Sequence, residues 1–140
     1  MNPEAIFTPM LGLMALTAVV WVYLYLLRIP AMKKARKPVQ TYTTPDTVID
    51  ALPPEANYPA NNFKNLFELP VLFYALCLYL YVTGNVDAVH VYAAWAFFAF
   101  RVAHSVVHCT FNRVIVRFWL YCGGAVALFL MLFRALLDAV

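Results

Sequence analysis

From Ile6 to Leu27 the chain runs without one charged residue. Wound as an α-helix at ~1.5 Å per residue, such a run spans about 33 Å, enough to cross a bilayer hydrocarbon core of ~30 Å. A soluble helix needs a charged or polar face to present to water, so this stretch alone excludes most water-soluble folds. A secretory signal is the competing reading. The residues ahead of the run, Met1 to Ala5, carry Glu4 and no Lys or Arg. The run is also longer than a signal core, and basic residues follow it, as they do after a membrane anchor. A retained membrane helix is expected.

Three more apolar blocks follow. Leu66 to Val82 is interrupted only by Glu68, and Ala88 to Val107 only by His90, Arg101, His104 and Ser105. Val116 to Leu137 carries only Arg117 and Arg134. Charged residues make up 12% of the chain, about half the share of an ordinary globular domain. Alternation of polar and apolar residues, which a membrane β-barrel requires, is absent. The expected fold is all-α: one membrane domain over 1–140, an antiparallel up-down four-helix bundle. Its helices would lie at about 6–27, 63–82, 88–110 and 114–137. Cys77, Cys109 and Cys122 form no CxxC pair and read as small buried hydrophobes. Trp21, Trp95 and Trp119 read as packing or interface anchors.

Basic residues orient the bundle. Arg28, Lys33, Lys34, Arg36, Lys37 and Lys64 fall between the first two blocks, and Arg113 and Arg117 between the last two. The opposite ends carry almost none. The positive-inside rule therefore places both connections in the cytoplasm and both termini outside it. A net charge of +3, spread along the chain, gives no footprint for nucleic acid. The Lys33–Lys37 cluster reads as an orientation signal that also attracts anionic lipid head groups. The connection over about 28–62 holds Pro30, Pro38, Pro45, Pro53, Pro54 and Pro59. These prevent one continuous helix, and an irregular strap or lid over the cytoplasmic face is expected.

Ionisable groups inside a membrane helix are costly and usually mark function. Arg101, His104, Ser105 and His108 stand at offsets 0, 3, 4 and 7, one face of the third helix, and Asn112 extends the stripe. Asn61, Asn65 and Glu68 share a face of the second helix, where Pro70 is expected to kink the chain. Arg113, Arg117 and Tyr121 are spaced by four on the fourth helix. The three stripes converge in the cytoplasmic half of the membrane. A buried Glu68–Arg101 ion pair would be a purely structural use of two of these residues. The surplus of cations over one carboxylate fits an acidic ligand better. His104 and His108 could offer metal ligands at i and i+4, but Arg101 beside them disfavours a cation, and no metal is expected. Haem is disfavoured too, since all three histidines fall on one helix.

The segments NNFKNLFELPVLF (61–73) and FRVAHSVVHCTFNRVIVR (100–117), together with the four-helix outline, resemble the MAPEG superfamily, membrane-associated proteins in eicosanoid and glutathione metabolism. The likeness is strongest to its bacterial members. The resemblance implies a homotrimer in the bacterial inner membrane, with glutathione bound between subunits toward the cytoplasm. Its Asn-x-x-Glu motif followed by Pro falls on Asn65, Glu68 and Pro70, and its helix-three Arg on Arg101. Its thiolate-stabilising Arg falls on Arg117, with Arg113 as second choice. Two positions depart from the pattern: Asn61 stands where many members have Arg, and His108 where many have Tyr.

The expected function is thus a glutathione-dependent transferase or peroxidase acting on lipophilic electrophiles from the bilayer. Arg117 would hold the thiolate and His108 would exchange a proton. Asn61, Asn65, Glu68, Arg101, His104, Ser105, Arg113 and Tyr121 would line the site. Glutathione, a lipophilic small molecule, membrane lipids and further copies of the chain are the expected partners. The alternatives are a non-catalytic trimer holding a lipid or partner in the same pocket, and a small transporter subunit.

Overall fold

The computed structural model describes residues 2–139, and every regular element among them is helical. A 3-10 turn, Pro3–Ile6, leads into α1, Phe7–Ala35. A second 3-10 turn, Val39–Tyr42, precedes two short helices, α2 (Pro45–Ala51) and α3 (Pro54–Asn65). Then come α4 (Leu69–Val82), α5 (Ala88–Cys109) and α6 (Val114–Asp138).

The connection expected to be an irregular strap is therefore largely helical. Pro30 sits inside α1, which continues to Ala35, while Pro45 and Pro54 stand in the first turns of α2 and α3. In a first turn the missing N–H is one the helix leaves unpaired anyway, and the fixed φ suits helical geometry. These prolines start helices. Thr44 and Thr47 form a capping box at the start of α2. Val48, Leu52 and Ala56 then make a small core against Ala31, Met32, Ala35 and Tyr42 at the end of α1.

The expected kink at Pro70 is a full break, and it precedes the proline. The chain leaves helical geometry at Leu66–Glu68 and resumes as α4 with Pro70 in its first turn. The Pro70 ring excludes the carbonyl of the residue four before it, Leu66, so the helix ends there. Residues 54–82 are two helices joined end to end.

Three segments are long and apolar enough to cross a membrane: Pro3–Ala35, Pro54–Val82 and Val114–Asp138. The helix expected as the third of four spans, α5, is not among them. Its 22 residues suffice in length, but ten are buried within the chain, among them His90, Arg101, His104, Ser105 and His108. It lies against α6 along much of its length and is flanked by α1 and α3. The polar residues that dilute α5 are thus shielded by apolar neighbours, while Val19, Leu26, Trp119, Val126 and Phe133 point outward. An apolar rim around a polar interior suits lipid as the surrounding solvent.

The main core is built on Ile6, Leu13, Phe73, Leu80, Phe97, Leu128 and Met131, all fully buried. At the end opposite α3, Gly84 takes φ +73°, which favours glycine, to turn α4 into α5. Asp87 caps α5 by accepting from the His90 backbone N–H at 2.9 Å and pairs with Arg134 of α6. Burial pushes the Asp87 carboxyl up, but the His90 N–H and the Arg134 guanidinium outweigh it and hold it below the usual range. This clamp therefore stabilises above the carboxyl's unfolded pKa and weakens as the pH falls through the lowered folded one. His90 is fully buried beside it.

The α5–α6 seam carries two adjacent glycines, and only one of them is required by close approach. A Cβ at Gly123 would lie 2.6 Å from the Phe100 ring, whereas one at Gly124 would meet nothing closer than 3.5 Å. Gly124→Ala should keep or raise the unfolding temperature, since replacing a helical Gly with Ala is worth about 1 kcal/mol. Gly123→Ala forces the ring to move, at about 1–3 kcal/mol, and should unfold at a lower temperature than Gly124→Ala. Circular-dichroism melts in detergent compare the two.

Candidate functional site

Arg101 lies two thirds of the way along α5, at the level of the α3–α4 break, and is 0% exposed. Its Nη2 donates to the backbone carbonyl of Asn65 at 2.5 Å. Asn65 is the last residue of α3; the break leaves its carbonyl only a long 3.4 Å bond from the Glu68 N–H, and the guanidinium supplies a second, shorter donor at the negative end of that helix. The Tyr121 ring stands 5.4 Å from Cζ and the Phe97 ring 5.9 Å, both within cation–π range. Nε and Nη1 are buried with no hydrogen-bond partner. Among the described residues no carboxylate comes within 4 Å of Arg101, so the structural Glu68–Arg101 pair weighed above does not form. Glu68 is exposed at the break, with φ −92° and ψ −106°.

Next to this guanidinium opens a cleft of about 340 Å³, lined by Asn65, Glu68, His104, Val114, Arg117, Phe118 and Tyr121. Residues from α3, the break, α5 and α6 meet in it. His104 is 3% exposed, and its ring stacks edge-on against His108 at 5.5 Å and faces Tyr121 at 6.1 Å. His108, also 3% exposed, stands behind His104, one turn toward the α5–α6 link, and its Nδ1 has no partner.

Arg117 reaches the cleft from the first turn of α6, its Nη1 donating to Asn112 Oδ1 at 2.5 Å. Asn112 holds φ +46°, a left-handed conformation that asparagine tolerates better than most residues, and its N–H bonds back to the Val107 carbonyl. The tight α5–α6 turn thus also positions the Arg117 head group.

Not every residue of the three stripes meets here. Asn61 faces a different cavity, on the α1 side of α3. Arg113 is exposed at the N-cap of α6. Ser105 points toward α3, where its hydroxyl lies 3.4 Å from Asn62 Oδ1. Asn62 also donates to Cys109 Sγ at 3.5 Å and is fully buried. Asn62 is a polar tie between α3 and α5 that the polar stripes did not reveal. The apolar pattern contains it, because Ala56, Pro59, Asn62 and Leu66 form the buried side of α3. Among the described residues no three of His, Cys, Asp and Glu gather as metal ligands.

The sequence model of the MAPEG family matches residues 6–137, nearly the whole chain, and the chain belongs to that family. No curated protein and no solved structure shows significant similarity to it.

A guanidinium placed for structure alone would be expected to stabilise the empty protein. Arg101, with two donors unmet in a buried site, should not. Arg101→Met should unfold within a few degrees of the wild type or above it, since apolar replacement of buried charge is often neutral or stabilising by about 1–4 kcal/mol. A large loss of stability would instead make Arg101 a packing element. Thermal melts without added ligand measure this.

Proposed function

Starting from membership of the MAPEG family, we propose that this protein is a membrane glutathione-dependent transferase or peroxidase acting on lipophilic electrophiles. The family includes glutathione transferases and peroxidases as well as non-catalytic members. One observation carries the reading: Arg101, fully buried with two unpaired donors, packs against Asn65 and Tyr121, which line the cleft that holds Arg117. Two guanidiniums against one exposed carboxylate leave positive charge that an anionic ligand neutralises. Glutathione carries two carboxylates and one ammonium, so Arg101 and Arg117 match its anionic groups and Glu68 its ammonium. Asn65, His104 and Tyr121 supply the surrounding polar wall. Asn61, Ser105 and Arg113 stand outside this cleft in a single chain, and a role for them would come through a neighbouring subunit or indirectly.

In this reading α5 crosses the membrane inside a trimer, with both termini outside the cytoplasm of a bacterial cell and the cleft on the cytoplasmic side. The cleft lies beside exposed Phe118 and Val114, so a lipophilic substrate reaches it from the lipid side. Arg117 acts on the thiol. A cation close to a thiol favours the thiolate, which is the nucleophile. The thiolate forms a carbon–sulfur bond to the electrophilic carbon: an aryl halide releases halide and the thiol proton passes to solvent, whereas an epoxide or activated alkene breaks its C–O or C=C π bond and takes up that proton. His108 is the proposed proton carrier, because its Nδ1 has no hydrogen-bond partner and it stands directly behind His104 of the cleft wall.

A non-catalytic reading has its own support. The Arg117 guanidinium is already engaged by Asn112, and His108 replaces the tyrosine common in the family. In that case the cleft holds a lipid or a partner without thiol chemistry.

Arg117→Ala distinguishes the two. At neutral pH it should lower the thiolate fraction of bound glutathione about tenfold or more, the effect of losing a cation that shifts a pKa by about one to three units. Arg117→Lys should restore part of it. Ultraviolet thiolate absorbance and conjugation of a hydrophobic aryl halide read this directly. Conjugation unchanged in Arg117→Ala would reject the assigned role, and no conjugation by the wild type would favour the non-catalytic reading.

A further inference from the structure

A second cavity, of about 390 Å³, lies between the cytoplasmic half of α1 and the α2–α3 connection. It shares no lining residue with the cleft at Arg117 and does not depend on glutathione binding. On the α1 side its wall is Trp21, Leu24, Tyr25 and Arg28. These stand at offsets 0, 3, 4 and 7, one helix face that is apolar and aromatic for two turns and then ends in a cation. Trp21 and Tyr25 are 49% and 43% exposed, so this side opens onto the outer surface of a membrane-length helix.

The opposite wall is mixed, with Val48, Ile49 and Phe63 beside a set of polar side chains. Tyr42, Asn57 and Lys64 contribute to it. Three polar atoms around the cavity are buried without a hydrogen-bond partner: Arg28 Nε, Tyr42 Oη and Asn57 Oδ1. Asn57 is only 4% exposed, and its Nδ2 makes just two long bonds, 3.5 Å each, to the carbonyls of Ile49 and Pro53. Native proteins rarely leave buried polar atoms unpaired, and three around one cavity mark a place where a ligand completes the bonding. An arginine at a membrane boundary commonly extends its head toward water; here its Nε is buried in the cavity wall instead. No Asp or Glu lines the cavity, while Arg28 and Lys64 both do.

We propose that this cavity binds a phosphate-bearing amphiphile, with the phosphate between Arg28 and Lys64 and the hydrocarbon chain along Trp21, Leu24 and Tyr25. The guanidinium and the ammonium neutralise the anion, and the Tyr42 hydroxyl donates to a phosphate oxygen. Asn57 Oδ1, an acceptor, requires a donor, which a hydroxyl on the head group supplies. Phosphatidylglycerol combines these features: a phosphate diester, free hydroxyls and acyl chains. The cavity volume suits the head group, leaving the chains in the bilayer against the aromatic stripe.

The test uses the full-length protein in phosphatidylcholine nanodiscs, with brominated phosphatidylglycerol titrated in as a quencher of tryptophan fluorescence. A component of the quenching that saturates at low mole fraction should appear with this lipid and not with brominated phosphatidylcholine, and should be lost in Trp21→Phe, leaving only the head-group-independent quenching of exposed Trp95 and Trp119. Arg28→Gln should raise the half-saturating mole fraction about tenfold, the loss of one charge-assisted contact. Lys64 is exposed, so Lys64→Gln should fold and shift the same titration should Arg28→Gln fail to fold. Equal quenching by both brominated lipids, or half-saturation unchanged in the variant that folds, overturns the proposal. Inorganic phosphate that abolishes quenching at micromolar concentration would make free phosphate the ligand and overturn the lipid assignment.

Discussion

The site is organised around one awkward group, the guanidinium of Arg101. A permanent charge in a buried, membrane-level position is expensive unless it is neutralised and hydrogen-bonded. The chain meets part of that demand with its own backbone. Pro70 prevents one helix from running from Pro54 to Val82, and the break frees carbonyls at the end of α3. Arg101 takes the Asn65 carbonyl, so the proline on one element and the arginine on another make a single device. Tyr121 and Phe97 place ring faces beside the same cation. Two donors are still unmet, and the cleft beside them is where the remaining demand is expressed.

The same constraint explains why α5 is unlike its neighbours. The helices that carry long apolar surfaces can face lipid directly, whereas α5 carries Arg101 and three histidines and buries that polar face within the chain. Close approach along α5 and α6 is achieved with Gly123 under the Phe100 ring. At one end of that seam Asp87 and Arg134 clamp the helices, and at the other Asn112 turns the chain and holds Arg117. Both links are short, so the reach of the α6 side chains into the cleft is set by backbone geometry.

Much of this was legible in the sequence. The uncharged run beginning at Ile6 gave the first membrane-length helix, and the offsets of Arg101, His104 and His108 correctly placed them on one buried face. Asn65, Glu68, Arg117 and Tyr121 also meet in one cleft, as three converging stripes suggested. What failed did so for local reasons. Prolines in the first connection read as helix breakers, yet at Pro45 and Pro54 they occupy first turns, where proline is favourable. Asn62 was missed because a buried asparagine within an apolar pattern looks like part of a polar loop until its partners, Ser105 and Cys109, are known. Asn61 and Asn65 share a helical face by spacing but open onto different cavities, because α1 and the α2–α3 connection enclose the space at Asn61 whereas α5 and α6 enclose that at Asn65. Spacing describes one helix at a time; which neighbours cover its face is decided by packing.

The central claim is that the unmet charge at Arg101 serves an anionic tripeptide. The most direct measurement is thermal unfolding of the detergent-purified protein with and without millimolar glutathione. A ligand that binds only the folded state stabilises it by mass action, about 2.7 kcal/mol at a hundred times its dissociation constant. The account predicts a clear rise in unfolding temperature for the wild type that is absent in Arg101→Met. An unchanged unfolding temperature, or a rise of equal size in the variant, would contradict it.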